Sequence, residues 1–117
     1  MTPGPDLDAL VAEKVMGWTL RHPGEKERSY WEDEKGRVIW WQTTFCPSVD
    51  IYMAWRVVDK IKDLKGELCL SYKDKWTVFP TWHADSWAEA VSASTAPHAI
   101  CLAALKACGV TQPEPVA

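Results

Sequence analysis

His83-Ala84-Asp85 places an imidazole two residues from a carboxylate, a pairing that acid–base hydrolysis can use. A polar connecting loop produces the same letters. No G-x-S-x-G, phosphate loop or glycine-rich dinucleotide pattern accompanies them. A hydrolase built on His83 and Asp85 therefore ranks behind the non-enzymatic readings. The four cysteines, Cys46, Cys69, Cys101 and Cys108, form no Cys-x-x-Cys, and there is no His-x-x-x-His. Cys101 and Cys108 are seven residues apart, on one helix face but two turns apart, too far for two ligands of one zinc. They read as buried free thiols, and no metal or cofactor is expected. Cys46 precedes Pro47 and a helix start, where the helix dipole would lower a thiol pKa. It has no histidine in reach along the chain. His22 sits in a charged loop and His98 in the first turn of the last helix, and neither suggests a ligand.

Anion binding is the better-supported chemistry. Ser48 and Thr95 each stand at a helix start, where unpaired amides and a hydroxyl converge. Trp40, Trp41 or Trp82 can stack a base or similar ring, and Arg37, with Arg21 and Arg28, can supply positive charge. The expected ligand-binding set is thus Trp40, Trp41, Ser48, Trp82, Thr95 and Arg37. Asp50 would repel a phosphate at Ser48, so Thr95 is the stronger anion site.

The chain has 117 residues, 47% hydrophobic and 25% charged, which suits one globular domain. A net charge of −3 gives no basic field to attract a nucleic acid polymer. No apolar run approaches the roughly 20 residues a membrane helix needs. The polar Met1-Thr2-Pro3-Gly4-Pro5-Asp6 start lacks the pattern of a secretory signal, so a cytoplasmic location with reduced thiols is expected. Eight tryptophans are the unusual number. A small interior cannot take them all, so some should be exposed and meet a partner. A homo-oligomer or a protein partner follows from that.

These residues have to be positioned by three helices and about five strands. The last helix is the clearest element. Thr95 caps it, Pro97 falls in its first turn and Gly109 supplies its stop. Lys106 is its one charged residue, so it must be covered on most sides. A first helix is expected from Leu7 to Met16, capped by Asp6, with Leu7, Leu10, Val11 and Val15 inward and Asp8 toward solvent. Residues 1–5 are expected to be flexible. An extended stretch begins at Trp18, and a charged loop covers residues 21–28. Tyr30–Asp33 and Arg37–Trp41 then form a hairpin around Gly36. A second helix, capped by Ser48, reaches about Lys62 with Ile51, Ala54, Trp55, Val58 and Ile61 inward. A meander of Glu67–Tyr72, Trp76–Phe79 and Trp87–Ala93 follows, the last strand having a helix as its rival. The order is α-ββ-α-βββ-α. The fold class is α+β, an α-β-α sandwich with an antiparallel sheet, one domain over residues 6–110 and a flexible tail over 111–117.

Three blocks in this order carry a resemblance. They are Glu13-Lys14-Val15-Met16-Gly17-Trp18, then Pro47-Ser48-x-Asp50-Ile51-x-x-Ala54-Trp55, then Thr95-Ala96-Pro97-x-Ala99-Ile100-Cys101-Leu102-Ala103-Ala104-Leu105. Together they resemble the phage ABA sandwich domain family, over roughly Leu7 to Val110. The resemblance implies the α-β-α sandwich and expression in a bacterial host cytosol. It brings no catalytic residues. With a phage context, the first reading is a non-enzymatic accessory protein that binds a small anionic ligand, such as a nucleotide-type signal of host defence. The alternative is a tryptophan-rich module that binds itself or a host or phage protein.

Overall fold

The computed structural model describes residues 1–82 and 90–110. Its elements are α1 (Pro5–Lys14), β1 (Thr19–Arg21), β2 (Tyr30–Glu32), β3 (Val38–Trp41), α2 (Ile51–Leu64), β4 (Leu68–Tyr72), β5 (Trp76–Pro80), β6 (Val91–Ala93) and α3 (Ala96–Ala107). The strands make two three-stranded antiparallel sheets, β1-β2-β3 and β4-β5-β6. The order is therefore α-βββ-α-βββ-α rather than α-ββ-α-βββ-α. The additional strand is β1, whose three residues pair with Tyr30–Glu32. Three residues show too little alternation to be read as a strand on their own. Val91–Ala93 pairs with β5, so this part of the last expected strand is β. Residues 87–89 of that strand lie outside the described residues.

α3 sits at the centre and packs against α1, α2, β5 and β6. Ala99, Ile100, Cys101, Ala104 and Leu105 are fully buried. Both of its ends match the sequence expectation. The Thr95 hydroxyl accepts from the His98 N–H at 3.4 Å. At the other end Gly109 has φ 77, its N–H donates to the Lys106 carbonyl at 3.0 Å, and the Val110 N–H donates to Leu105 at 2.9 Å. This Schellman arrangement satisfies carbonyls that the helix end would leave open.

The other two helices depart from expectation. α1 starts at Pro5, with Gly4 as its cap rather than Asp6, because proline suits the first helical position. Asp8 is 5% exposed and faces inward, not solvent. α2 is capped by Asp50, whose carboxylate accepts from the Met53 N–H at 3.1 Å, and it extends to Leu64. Its buried face is Ala54, Val57 and Ile61, while Ile51 and Trp55 are about half exposed. The helix is apolar over more than half its circumference. Packing against α3 selected the narrower side, where Ala54 permits close approach.

Gly66, just after α2, has φ 151, and a Cβ there would lie 2.9 Å from Trp82 Cε3. Gly66→Ala should cost about 1–3 kcal/mol through backbone strain and the clash. Adding Trp82→Ala should make the double variant less destabilised than the sum of the two single changes. Leu105→Ala, at the centre of the core, should cost about 2–5 kcal/mol. Urea denaturation checks all three, and additive costs at Gly66 and Trp82 would contradict the contact.

Candidate functional site

The six residues expected to bind a ligand fall in separate places. Ser48 is fully buried. Its N–H donates to Asp8 Oδ1 at 2.8 Å, and its hydroxyl accepts from the Gly4 N–H at 2.9 Å. It therefore fastens the start of α1 to the 46–50 segment and does not cap α2. Arg37 bonds Asp33 Oδ2 through Nε at 2.9 Å, and Asp33 Oδ1 accepts the N–H groups of Lys35 and Arg37. These bonds hold the β2–β3 turn. Trp40 stacks on Phe45 at 5.7 Å and meets Trp18 edge-on at 5.9 Å. Trp41, on the opposite face of β3, lies 6.4 Å from Tyr30 with Arg28 5.8 Å above it. Trp82 covers Gly66.

Thr95 is the member of the set that borders a groove containing other indoles. That groove, about 550 Å³, is lined by Ile51, Trp55, Leu70, Trp76 and Thr95 among others. Ser48 is not among its lining residues, so the two expected helix starts do not open on one site. Pro97 has no N–H, and the His98 N–H is held by Thr95, so the first turn of α3 has few donors left for an anion. The His98 ring bonds the Met1 carbonyl through Nε2 at 2.7 Å. His83 and Asp85 lie outside the described residues.

Cys46 differs from its sequence reading. Burial pushes its thiol pKa up, and the charges of Asp50 and Asp8 add to the rise. The thiol is thus raised by burial first and by the two carboxylates second, the opposite direction to the one expected at a helix start. Cys101 is buried, and burial also raises its thiol.

Sequence reasoning missed the outer face of α2. Ile51, Tyr52 and Trp55 are 47%, 63% and 49% exposed. The Arg56 guanidinium lies 5.1 Å from the Trp40 ring centre and 5.5 Å from that of Tyr52. On the other side, Trp55 and Ile51 share the groove with Trp76, which contacts Tyr72 at 5.1 Å. One aromatic strip therefore runs from Trp40 across α2 to β4 and β5. The available signal was the excess of apolar positions: residues 51, 52, 54, 55, 57, 58 and 61 cannot share one narrow stripe.

With this geometry in hand, the phage ABA sandwich domain family model matches residues 9–105. The chain belongs to this family. Its fold is also similar to the crystal structure of a phage protein from Bacillus cereus ATCC 14579, with a TM-score of 0.68 and 24% identity. That alignment covers 97% of this chain and 93% of the other. Among curated proteins, none matches. The family's sandwich accounts for the packing of helices on antiparallel strands. Among the described residues, no helix is long and apolar enough to cross a membrane.

Burial raises the Asp8 pKa above its ordinary value of 3.8, an effect partly offset by the hydrogen bonds from Ser48. A carboxylate raised on folding favours the native state while protonated, and that advantage is lost as pH climbs through its folded pKa. Asp8→Asn keeps an oxygen for the Ser48 N–H and removes the charge. The stability of Asp8→Asn relative to the parent should therefore rise as pH increases from about 3.5 to 7. Urea denaturation across that range measures it, and a difference that shrinks with pH would contradict the assignment.

Proposed function

We propose that this chain is a small phage-encoded, non-enzymatic accessory protein that acts in the host cytosol by binding a protein surface. The observation that carries the reading is the trio Ile51, Tyr52 and Trp55, large side chains left open on one helix face. Exposed apolar side chains side by side mark interaction surfaces more often than isolated ones do. Trp, Tyr and Arg, the types that gather along this strip, are those that dominate interface energetics. The occupant proposed is a second copy of the chain, since one apolar face can pair with itself about a two-fold axis. The small net charge of −3 offers little repulsion to such pairing.

A second reading is kept for one observation: Trp55 and Trp76 stand beside Thr95 in the same groove. Two indoles next to a helix start can stack a ring and receive a negative group. On this reading the ligand is small and anionic, a nucleotide-type signal of host defence. It comes second because the first turn of α3 has few donors to offer.

Size-exclusion chromatography with light scattering separates the two. The first reading expects a dimer or higher oligomer, which Trp55→Ala weakens by about 2 kcal/mol, roughly 30-fold in Kd. Trp55 is half exposed, so the variant should keep its fold. A monomer at every concentration, with quenching of tryptophan fluorescence by nucleotides or cyclic dinucleotides that Thr95→Ala abolishes, would favour the second.

A further inference from the structure

β4 stands at the edge of its sheet: the order is β4-β5-β6, and among the described residues no strand pairs with its other side. The other sheet edges are blunted. β1 and β6 have three residues each, and the β2–β3 register shifts at Trp31/Glu32, which leaves a bulge along β3. β4 has five residues in unbroken register with β5, and its sequence, Leu-Cys-Leu-Ser-Tyr, has no charge and no proline. Natural edges use lysine, proline or a bulge to prevent pairing with another chain. None of these guards β4.

The β4–β5 ladder defines which backbone groups face outward. The Thr81 N–H donates to the Glu67 carbonyl at 3.0 Å, and the Lys73 N–H donates to the Lys75 carbonyl at 3.3 Å. Residues 67, 69, 71 and 73 thus bond toward β5, and the N–H and C=O groups of Leu68, Leu70 and Tyr72 point away from it. A second copy fits this edge. Turned antiparallel about a two-fold axis at Leu70, two β4 strands set Leu70 opposite Leu70, Leu68 opposite Tyr72 and Cys69 opposite Ser71. The outward groups of residues 68, 70 and 72 then meet one another and can exchange N–H···O=C bonds. The same register sets Glu67 opposite Lys73. Both side chains are exposed, and neither takes part in the ion pairs seen among the described residues. The edge is also continuous with the aromatic strip: α2 packs against β4, Leu70 shares the groove with Trp55, and Tyr72 contacts Trp76.

We propose that two copies of this chain pair through β4, antiparallel and centred on Leu70, joining their β4-β5-β6 sheets into one, with Glu67 of each copy against Lys73 of the other. This inference rests on the self-association reading above and specifies how the copies meet.

Ser71→Cys, made in the full chain, tests the register. Ser71 is exposed, so the fold should hold. Positions 69 and 71 of opposite copies form a non-hydrogen-bonded pair with Cα atoms about 4.5 Å apart, within disulfide reach. Oxidised glutathione should link Cys69 of one copy to position 71 of the other, read as a covalent dimer without reductant and assigned by peptide mass spectrometry. Adding Cys69→Ser should abolish that link. Glu67→Lys or Lys73→Glu alone should raise the dimer Kd roughly 5-fold, through two like-charge contacts, and the two together should restore it. Within one copy these positions are about 20 Å apart at about 3.3 Å per residue, so the restoration must come from the other copy. A dimer that gives no such link, ignores either single reversal or stays weak in the double variant overturns the strand pairing; if Trp55→Ala still weakens that dimer, the reading of the α2 face stands. A monomer at every concentration overturns both.

Discussion

A helix of twelve residues with one charge, Lys106, cannot lie on a surface. Ala96, Ala99, Ile100, Cys101, Ala103, Ala104 and Leu105 are buried, and they occupy several sides of α3 rather than one stripe. The remaining chain has to surround that cylinder. α1 and α2 take part of it, and β5 and β6 take another. The small residues let these neighbours come close, and burial of the larger ones supplies the hydrophobic stabilisation, about 25 cal/mol for each Å² of apolar surface removed from water.

This demand explains what α2 does with its own excess of apolar residues. α3 offers it one contact face, filled by Ala54, Val57 and Ile61. Ile51, Tyr52 and Trp55 are then left outside, beside Arg56 and the rings of Trp40 and Trp76. The exposed aromatic strip is a consequence of a core that is already full. At the opposite end of the chain lies a polar clamp. Asp8, Ser48 and Gly4 join α1 to the approach to α2, with donors and acceptors matched in a place that water hardly reaches.

How much could be read from the sequence depended on the range of each interaction. The ends of α3 were legible because Thr95 and Gly109 act on amides and carbonyls within a few residues. The hairpin at Gly36 was legible for the same reason. Ser48 and Asp50 were not separable locally, since both are good caps. The Ser48 hydroxyl accepts instead from the Gly4 N–H, 44 residues away in sequence, and its own N–H donates to Asp8. The phase of α2 was hidden because its periodicity supports more than one inward face, and only packing on α3 chooses. Of the tryptophans, Trp31 entered the core, Trp40 joined a cluster with Trp18 and Phe45, and Trp55 stayed half open. Composition signals that indoles are in surplus without identifying which ones. The members of the expected site were chosen by type, and type carries no information on placement: the sheet puts adjacent residues such as Trp40 and Trp41 on opposite faces.

The claim on which this account rests is that α3 is enclosed by the other elements and opens only when the whole domain does. Native-state hydrogen exchange measures this directly, amide by amide. The amides of Ala99 to Leu105 should be the slowest in the chain, and their opening free energy should equal that of global unfolding. If they exchange through a partial opening while the amides of α2 and β5 remain protected, α3 is not the centre of this fold.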